Sequence, residues 1–351
     1  MFHGNSQGSP QLRKLCLSVF DVEVGPEEEF SIATASTGAK ACPSDIQISN
    51  IHFRWLSLDW KNLDRVTFYR NTIYLDDCVV LLREAPALRN LVLVDVSDPE
   101  DTEDWREDAW PQYPIIHHGL ERFRFQGYKG HELGRFFNSF AFPGLKNLEL
   151  YNITDPSLTT YLISLFKRSP MPHFTNLKVL PPANDDYTTL VELLKAVPFL
   201  EHFDIPNSLS IENVMKILEV LAHSAVIVDN DDDEIEPFDS FLPNLQSISY
   251  SESMFGESIL DHPLFWLIIS HINGPPEEII HWTPNATGRR PLKHISISCF
   301  RSSLTEDSAI CTDVFIVKHL IDLIAAGVRF EIEDGTVDVI KASMSFHGLA
   351  S

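Results

Sequence analysis

Basic residues are scarce in this chain of 351 residues: 27 Lys and Arg stand against 50 Asp and Glu, a formal net charge of -23. Nucleic-acid phosphates and anionic lipid surfaces attract the opposite charge, so this balance disfavours broad binding to either. The sequence therefore predicts no nucleic-acid partner and no membrane partner. The simplest consequence of so much negative charge is solubility.

Cysteine is also rare, and no two cysteines have the C-x-x-C spacing of a zinc or redox site. The five that occur are Cys16, Cys42, Cys78, Cys299 and Cys311. Scattered cysteines in an odd number fit a reducing compartment, so we expect a cytoplasmic or nuclear protein. The first residues contain no apolar run typical of a signal peptide. The most apolar short stretch, Leu264–Ile272, is too short to span a bilayer.

Motifs of catalysis and metal binding are missing as well. The sequence contains no G-x-S-x-G nucleophile motif, no H-E-x-x-H zinc motif and no glycine-rich loop ending in G-K-[ST]. The spacing Asp229-x-Asp231-x-Asp233 resembles a calcium loop, but Glu234 stands where glycine is required and Ser240 where the last ligand should be Glu. We therefore predict no enzyme activity, no cofactor and no metal, although residues assembled from distant segments would escape a motif search.

Several smaller features have structural interpretations. The densest histidine groups, His117-His118 and His131-Glu132, are interpreted as surface or loop residues because zinc needs three or four organised ligands. Three glycines are interpreted as shaping a strand-to-helix turn: Gly127, Gly130 and Gly134. Three stretches are interpreted as loops, two of them acidic: Pro99–Trp110, Asp229–Glu236 and Ala33–Ser44.

What the sequence does contain is a recurring phrase, Leu-x-x-Leu-x-Leu, in which Val, Ile, Phe or Tyr often replaces a Leu. Nine copies begin at Leu12, Leu63, Leu88, Leu120, Leu145, Leu177, Leu200, Leu245 and Leu292. From Leu63 to Leu200 the copies lie 23 to 32 residues apart, which fits or slightly exceeds a leucine-rich repeat. The longer intervals elsewhere predict a degenerate unit or an insertion.

Each phrase alternates apolar and polar residues at its end, which predicts a strand, and helical patterns lie between the phrases. The predicted helices cover Asp76–Glu84, Leu133–Phe140, a segment from Asp155-Pro156 to Ser169-Pro170, one from Thr189 to Pro198, and one opening at Ser210. Strands that alternate with helices pair in parallel. The predicted fold class is therefore α/β: an irregular leucine-rich-repeat solenoid, or horseshoe, with a parallel concave sheet and convex helices.

We expect one continuous solenoid over residues 1–351. Residues 1–62 would form degenerate N-terminal repeats or a cap, residues 63–300 the central repeats, and residues 301–351 a C-terminal cap. In that cap one helix is predicted to bury a single stripe, namely Val317, Leu320, Ile321 and Ile324. Gly327 would end this helix, and Val328–Ile332 would be the last strand.

Four of the phrases resemble a known family. They are Ala87-Leu88-Arg-Asn-Leu91-Val-Leu93, Phe142-Pro-Gly-Leu145-Lys-Asn-Leu148-Glu-Leu150, Val197-Pro-Phe-Leu200-Glu-His-Phe203 and Leu242-Pro-Asn-Leu245-Gln-Ser-Ile248. Together with the segment from Phe53 to Leu63 they resemble the fungal F-box/leucine-rich-repeat proteins. The resemblance implies a non-enzymatic protein–protein interaction module, the substrate-recognition region of a ubiquitin-ligase subunit.

The chain departs from that family in two ways. Only eleven residues precede Leu12, and no Leu-Pro-x-Glu-like phrase marks an F-box, so a ligase adaptor is expected as a partner only if an F-box lies upstream. A stand-alone repeat scaffold with no ligase role is the alternative. The asparagine that follows the first Leu by eight residues in regular horseshoes occurs only as Asn71, so we expect irregular repeats.

The residues on either side of the inner Leu of each phrase point away from the core, onto the concave surface. In the N-terminal repeats they give a candidate protein-binding patch that would suit an acidic or phosphorylated segment: Lys14, Arg65, Tyr69, Arg122 and Arg124. In the C-terminal repeats the same positions hold serines: Ser247, Ser249, Ser251, Ser296 and Ser298.

Overall fold

The structure is a computed structural model. It describes residues 13–18, 30–31, 42–49, 56–70, 75–97, 110–128, 133–151, 153, 157–179, 187–207, 209–223, 241–252, 258–273, 292–299, 310–334 and 337–349. The chain divides into two compact units, unit 1 from Met1 to His173 and unit 2 from Phe174 to Ser351. Each unit is described by itself.

Unit 1 combines short parallel strands with three helices. Its elements are β1 (Lys14–Ser18), β2 (Phe30–Ser31), β3 (Asp45–Ser49), β4 (Leu56–Ser57), β5 (Arg65–Tyr69), α1 (Leu75–Glu84), β6 (Asn90–Ser97), β7 (Ile115–Ile116), β8 (Arg122–Tyr128), α2 (Leu133–Asn138), β9 (Phe140–Ala141), β10 (Asn147–Tyr151) and α3 (Leu158–Arg168). Six strands form one parallel sheet in the order β1-β3-β5-β6-β8-β10. Two further pairs of parallel strands, β2 with β4 and β7 with β9, form separate two-stranded sheets.

Unit 2 repeats this alternation. Its elements are β11 (Asn176–Val179), α4 (Tyr187–Lys195), β12 (His202–Ile205), α5 (Ile211–His223), β13 (Ser247–Ser251), a 3-10 turn (Ile259–Asp261), α6 (Phe265–His271), β14 (His294–Cys299), α7 (Val314–Ala325), β15 (Arg329–Asp334), β16 (Val337–Asp338) and α8 (Val339–Phe346). The strands follow chain order in the sheet and pair in parallel, except that β16 is antiparallel to β15. The predicted α/β class with mostly parallel strands is confirmed.

The apolar positions of the phrase form the core. In unit 1 the inner positions lie in register across the sheet and their side chains are buried from β3 onward: Ile46, Val66, Leu91, Phe123 and Leu148. Phe123 stacks on Phe136 of α2 with ring centroids 5.5 Å apart, and meets Phe137 edge-on at 5.9 Å. A helix therefore covers the inner side of β8, and the apolar face of the sheet is removed from water.

One pattern of backbone hydrogen bonds recurs at the start of the strands. Two consecutive amides of one strand segment donate to a single carbonyl of the preceding one, as Arg89 and Asn90 do to Asp64 at 2.8 and 3.0 Å. The carbonyls that accept such a pair are those of Arg13, Ser44, Asp64, Arg89, Glu121, Thr175, Glu201 and Gln246. Six of the eight acceptors lie just after the first residue of a phrase, and Ser44 and Thr175 lie at the matching register positions. Leu177 pairs with Phe203, so it holds the second position of its phrase and not the predicted first position.

The predicted helices are present with some changes at their ends. The helix predicted as Leu133–Phe140 was too long, because α2 ends at Asn138 and Phe140 enters β9. The stripe predicted for α7 was also partly wrong: Leu323 is buried, whereas Ile324 is 40% exposed. Gly327 does end α7, with φ of 105° and its amide donating to Ile324 O at 2.9 Å.

The long interval between Leu12 and Leu63 contains a strand, β3, that has no complete Leu-x-x-Leu-x-Leu phrase. β3 reads Asp-Ile-Gln-Ile-Ser and pairs with β1 on one side and β5 on the other. This interval was predicted to contain a degenerate unit or an insertion, and β3 is a further parallel strand within it. Of the predicted loops, Asp229–Glu236 lies outside the described residues, as do most of Pro99–Trp110 and Ala33–Ser44. A single continuous solenoid, with its boundaries at residues 62 and 300, stays a prediction.

Candidate functional site

The candidate site is the face of the unit 1 sheet formed by the residues that alternate with the buried ones. We call it the outward face. Its composition follows from the period of two along a strand. In β5 the side chains of Val66 and Phe68 are buried, whereas those of Arg65 and Tyr69 are exposed. The same alternation in β3 and β10 leaves every second side chain partly exposed.

All five predicted binding residues lie on the outward face. The register aligns Lys14, Asp45, Arg65, Asn90 and Arg122 in one row across five strands. Neighbouring strands lie about 4.8 Å apart, so Arg65 and Arg122 stand roughly 10 Å apart with Asn90 between them. Lys14 is separated from Arg65 by the carboxylate of Asp45. The structure thus places three of the four predicted cations, Lys14, Arg65 and Arg122, in one row but not side by side.

Arg124 and Tyr69 occupy the next two rows. Arg124 lies in register with Val92 and Thr67, and Tyr69 with Val94. Tyr69 is 37% exposed. Tyr69 on β5 and Arg124 on β8 therefore lie on opposite sides of the two valines of β6. The outward face therefore has a low, partly apolar strip along β6 between two strands with longer side chains.

Glu149 on β10 binds both arginines of β8. Its Oε1 lies 2.6 Å from Nη2 of Arg122, and its Oε2 lies 3.8 Å from Nε of Arg124. Tyr151 completes the group, because its hydroxyl donates to Glu149 Oε2 at 3.3 Å and the guanidinium of Arg124 lies 5.1 Å from its ring centroid. The guanidinium of Arg124 also donates to Gln126 Oε1 at 3.1 Å.

Sequence reasoning missed Glu149, although the signal was available. Glu149 stands between Leu148 and Leu150, the same position in its phrase that Arg124 has in the preceding one. The outward face of the six strands carries four cations and three carboxylates, a formal charge of +1. The cations are Lys14, Arg65, Arg122 and Arg124, and two of the carboxylates are Asp45 and Glu149. The third is Asp95, at the bulge of β6, whose Oδ1 accepts a hydrogen bond from Gln126 Nε2 at 3.4 Å. A chain of net charge -23 therefore has a face with a small charge of opposite sign.

A second set of charges lines the beginning of the strands in unit 1. Arg89 Nε lies 3.5 Å from Asp64 Oδ1, Arg89 Nη1 lies 3.9 Å from Glu121 Oε1, and Lys146 Nζ lies 3.0 Å from Glu121 Oε2. These four residues follow the first Leu of four successive phrases. Acid and base alternate from one phrase to the next, so each charge meets opposite charges on its neighbours.

The corresponding face of unit 2 holds the predicted serines in register: Ser247 beside His294, Ser249 beside Ser296, and Ser251 beside Ser298. His202 Nδ1 lies 2.6 Å from Ser247 Oγ, and its Nε2 lies 4.0 Å from Glu201 Oε2. About half of the His202 side chain is exposed. This serine, histidine and glutamate lie on an open sheet surface where water screens their charges, which is a poor setting for nucleophilic catalysis.

Ion pairs also connect the strands on this face of unit 2. Lys178 Nζ lies 2.9 Å from Asp204 Oδ2, and Ser249 donates to the same carboxylate. His294 Nε2 lies 3.0 Å from Glu331 Oε2, and Arg329 pairs with the other oxygen of Glu331. The hydrogen bond from His294, followed by Arg329, lowers the pKa of the Glu331 carboxyl.

His117 has a structural position that the sequence did not predict. It lies in a loop, as expected, but it is buried rather than on the surface, whereas His118 is exposed. Its Nδ1 accepts a hydrogen bond from the Leu120 amide at 3.1 Å, and its Nε2 lies 3.2 Å from the carbonyl of Ala85. This pattern requires a proton on Nε2 alone. Burial lowers the pKa of the imidazole below its ordinary value, in agreement with the neutral form. His131 and Glu132 lie outside the described residues.

The glycines also differ from their interpretation. Gly134 lies inside α2 and not in the turn before it, and a Cβ there would penetrate the ring of Tyr161 on α3. Gly127 is part of β8, and Gly130 lies outside the described residues. Gly134 therefore allows close contact between two helices.

A buried polar group in unit 2 was not predicted either. Glu252 follows β13, accepts hydrogen bonds from the Ile259 amide at 2.8 Å and from Ser258 Oγ at 3.2 Å, and so anchors the 3-10 turn. Burial, followed by the charge of Glu252, raises the pKa of both the Cys299 thiol and the Tyr250 hydroxyl. Because the thiolate is the reactive form, the raised pKa makes Cys299 a poor nucleophile.

Comparison with known proteins gives no family: no protein-family model matches the chain, and no curated protein matches it significantly. Within the ranges described above, no helix is both long and apolar enough to cross a bilayer. Over the same residues, no three His, Cys, Asp or Glu side chains come together as metal ligands. The outward face of unit 1 is thus the candidate site with the most specific geometry.

Proposed function

We propose that the chain is a non-enzymatic protein-binding module built from leucine-rich repeats, and that a partner protein contacts the outward face of unit 1. The observation that carries this proposal is the charge of that face. A regular array of partly exposed side chains from six parallel strands has a formal charge of +1 on a chain of -23. Opposite charge on one face steers a partner to it and fixes its orientation.

Two features support the leucine-rich-repeat architecture. Apolar residues of successive phrases lie in register and are buried, as Leu91, Phe123 and Leu148 are. The paired amides that donate to one carbonyl recur with the same period in both units. Repeat proteins of this kind act chiefly by presenting an extended surface, and their sheet faces are common binding surfaces.

We further propose that the module is the substrate-recognition region of an F-box-type ubiquitin-ligase subunit, on the strength of the phrases quoted above. The alternative is a stand-alone leucine-rich-repeat scaffold with no ligase role. The two differ in one partner, the ligase adaptor. Purification of the gene product tagged at its native locus separates them, because a ligase subunit should retain the adaptor and a scaffold should not.

The binding face itself is tested by charge reversal. Arg122→Glu combined with Arg124→Glu should abolish capture of the proteins that co-purify with wild type while leaving the fold intact. Lys61→Glu combined with Lys167→Glu changes the net charge equally at exposed positions in a turn and on α3, and is the matched control. Equal capture by the folded face variant and by wild type, measured by quantitative mass spectrometry, would rule this face out.

A further inference from the structure

The strand β1 has one unpaired edge in the described part of the chain. It is the first strand in the sheet order, and among the described residues only β3 pairs with it. Its inward residues, Leu15 and Leu17, are partly exposed, whereas their partners in β3, Ile46 and Ile48, are fully buried. A strand edge with open backbone groups and an uncovered apolar side is a template for pairing with a further strand.

The direction of the backbone groups in β1 follows from one contact. The carbonyl of Arg13 accepts two consecutive amides of the β3 segment, at 3.2 and 2.9 Å, so Arg13 faces β3. In a parallel pair the amide and the carbonyl of one residue face the same side, and the side alternates along the strand. The outer edge of β1 therefore presents the amide and the carbonyl of three residues: Lys14, Cys16 and Ser18.

We propose that β1 pairs in antiparallel fashion with β1 of a second copy of this chain, about a two-fold axis that passes beside Cys16. In this register Cys16 lies opposite Cys16 of the second copy, and Lys14 lies opposite Ser18. Three hydrogen-bonded pairs of residues form, and each pair exchanges two bonds, so the two strands share six backbone hydrogen bonds. An axis beside Leu15 or Leu17 would leave only four among the residues of β1.

The side chains of β1 favour this arrangement over a parallel one. Directly opposed residues of an antiparallel pair lie on the same face of the sheet, so Leu15 meets Leu17 of the second copy on the apolar side. A parallel pairing of the same two edges would turn one copy over and continue its apolar side into the polar side of the other. The single charge in the strand, that of Lys14, stands opposite the neutral Ser18, and the two lysines lie roughly 14 Å apart along the strands.

This pairing goes beyond the proposed function and is independent of it, because it uses the edge of the sheet, whereas a partner protein would contact the face. The two-fold axis is perpendicular to the sheet, so the outward faces of both copies lie on the same side. A partner with two binding segments would then be held by both copies at once.

Sedimentation velocity of the full chain tests the pairing. We expect a monomer–dimer equilibrium at loading concentrations of about 1 to 300 µM, because an edge of five residues makes a small interface and small interfaces are weak. The fraction of dimer should rise with concentration across this range.

Two substitutions of equal charge distinguish this register from any other contact. Cys16→Asp sets two carboxylates directly opposite each other and should weaken the dimer about tenfold or more. Ser18→Asp sets a carboxylate opposite Lys14 of the second copy and should leave the dimer as tight as in wild type, or tighter. Both side chains are exposed, so neither change should disturb the fold of the monomer, and thermal melting of dilute samples checks this.

Cross-linking measures the register directly. Cysteines in a hydrogen-bonded pair have Cα atoms about 5.5 Å apart, which suits a disulfide. Glutathione disulfide should therefore join the two Cys16 thiols, which lose two protons and two electrons while the oxidant is reduced to two molecules of glutathione. Cys16→Ser should remove the dimer band on a non-reducing gel, and Cys42→Ser, at a partly exposed cysteine, should keep it. Cys16→Ser combined with Ser18→Cys should not restore the band, because the introduced thiols lie roughly 14 Å apart.

Three results would overturn the inference: a monomer at every concentration, a dimer in which Cys16→Asp and Ser18→Asp have the same effect, or a dimer whose Cys16 thiols do not join. The first result would mean that a different segment covers the edge of β1. The other two would place the contact between the copies on another surface.

Discussion

The backbone amide of Leu120 donates its hydrogen bond to Nδ1 of His117, at 3.1 Å. In five other phrases the amide of the first Leu donates to a backbone carbonyl three residues earlier; the acceptors are Trp60, Ala85, Phe142, Val197 and Leu242. In this phrase a side chain thus accepts the hydrogen bond that a turn carbonyl accepts in the five others. His117 can do so only as a neutral imidazole, because a protonated ring has no acceptor.

This relationship predicts a pH-dependent stability. The unfolded His117 titrates near its ordinary pKa of 6.5, and burial lowers its pKa in the folded protein. Between the two values the unfolded state binds more protons, so stability is fully present above about pH 6.5 and is lost as pH falls through that value toward the folded pKa. Denaturant titrations at several pH values should show this loss in wild type.

A variant without the imidazole isolates the effect. His117→Phe should be less stable at neutral pH by about 1–3 kcal/mol, because the Leu120 amide loses its acceptor and the Ala85 carbonyl loses its donor. The loss of stability between pH 6.5 and 5 should be smaller than in wild type. His173→Phe, at an exposed histidine elsewhere in unit 1, is the control and should keep the wild-type pH dependence. An unchanged slope in His117→Phe would assign the titration to another group.

A second prediction concerns the glycines that precede two of the phrases. A Cβ on Gly144 would meet the carbonyl oxygen of His118 far inside 3.0 Å, and one on Gly119 would lie 2.8 Å from the carbonyl oxygen of Pro86. Both contacts are with the backbone of the preceding turn, which cannot rotate away. Gly144→Ala should therefore destabilise unit 1 by about 1–3 kcal/mol, and Gly119→Ala by less.

The equivalent residue of an earlier phrase is Ala87, which is exposed and has a Cβ already. Ala87→Gly is therefore the control for the general difference between alanine and glycine, and should change the unfolding free energy by less than about 1 kcal/mol. The predicted order of destabilisation is Gly144→Ala, then Gly119→Ala, then Ala87→Gly. A stability of Gly144→Ala equal to that of wild type would mean that the two turns are farther apart than described.

Much of the fold could be predicted because the apolar positions of the phrase are the buried positions of the strands. Leu91, Leu148 and Phe203 stand where an apolar side chain must alternate with a polar one, and each is buried in a parallel strand. The strand β3 was not predicted, because Pro43 stands three residues before Ile46, where the phrase would have its first Leu. A period of two over so few residues is a weak pattern until its neighbours in the sheet are known.

The candidate site was predictable in its position but not in its pairing. Alternation alone places Arg65, Arg122 and Arg124 on one face, and the structure agrees. Glu149 binds both arginines because β10 is the neighbour of β8 in a particular register. A single phrase gives no information about which strands are neighbours or about their register. His117 was misjudged for a related reason, because its burial depends on the end of α1, which lies 32 residues away in the sequence.

A third prediction tests the core position of Leu148. This side chain is fully buried in β10, so Leu148→Asp would place a carboxylate without a partner in the apolar core and should cost several kcal/mol. Val92→Asp makes a comparable change on the outward face of β6, where the side chain is partly exposed, and should cost no more than about 1 kcal/mol. Chemical denaturation of the two variants checks the contrast, and similar losses in both would mean that the two faces of the sheet are not distinguished as described.

A fourth prediction concerns the last phrase, where another side chain replaces the turn carbonyl. Asn273 follows α6 and is buried. Its Oδ1 accepts the Leu292 amide at 2.7 Å, and its Nδ2 donates to the Leu292 carbonyl at 3.0 Å. An amide satisfies both groups, whereas a carboxylate has no donor for the carbonyl. Asn273→Asp, which keeps the shape, should destabilise unit 2 by about 1–3 kcal/mol at neutral pH.

The size of this effect should depend on protonation. At acidic pH the introduced carboxyl group takes up a proton and regains one donor, so the difference between Asn273→Asp and wild type should shrink as pH falls. Asn273→Ala loses both hydrogen bonds at every pH and should show no such recovery relative to wild type. Denaturation curves at about pH 7 and about pH 4.5, on either side of the range in which a buried carboxyl titrates, compare the three proteins. A difference between Asn273→Asp and wild type that stays constant with pH would show that the donor to the Leu292 carbonyl contributes little, and that Oδ1 alone holds this turn.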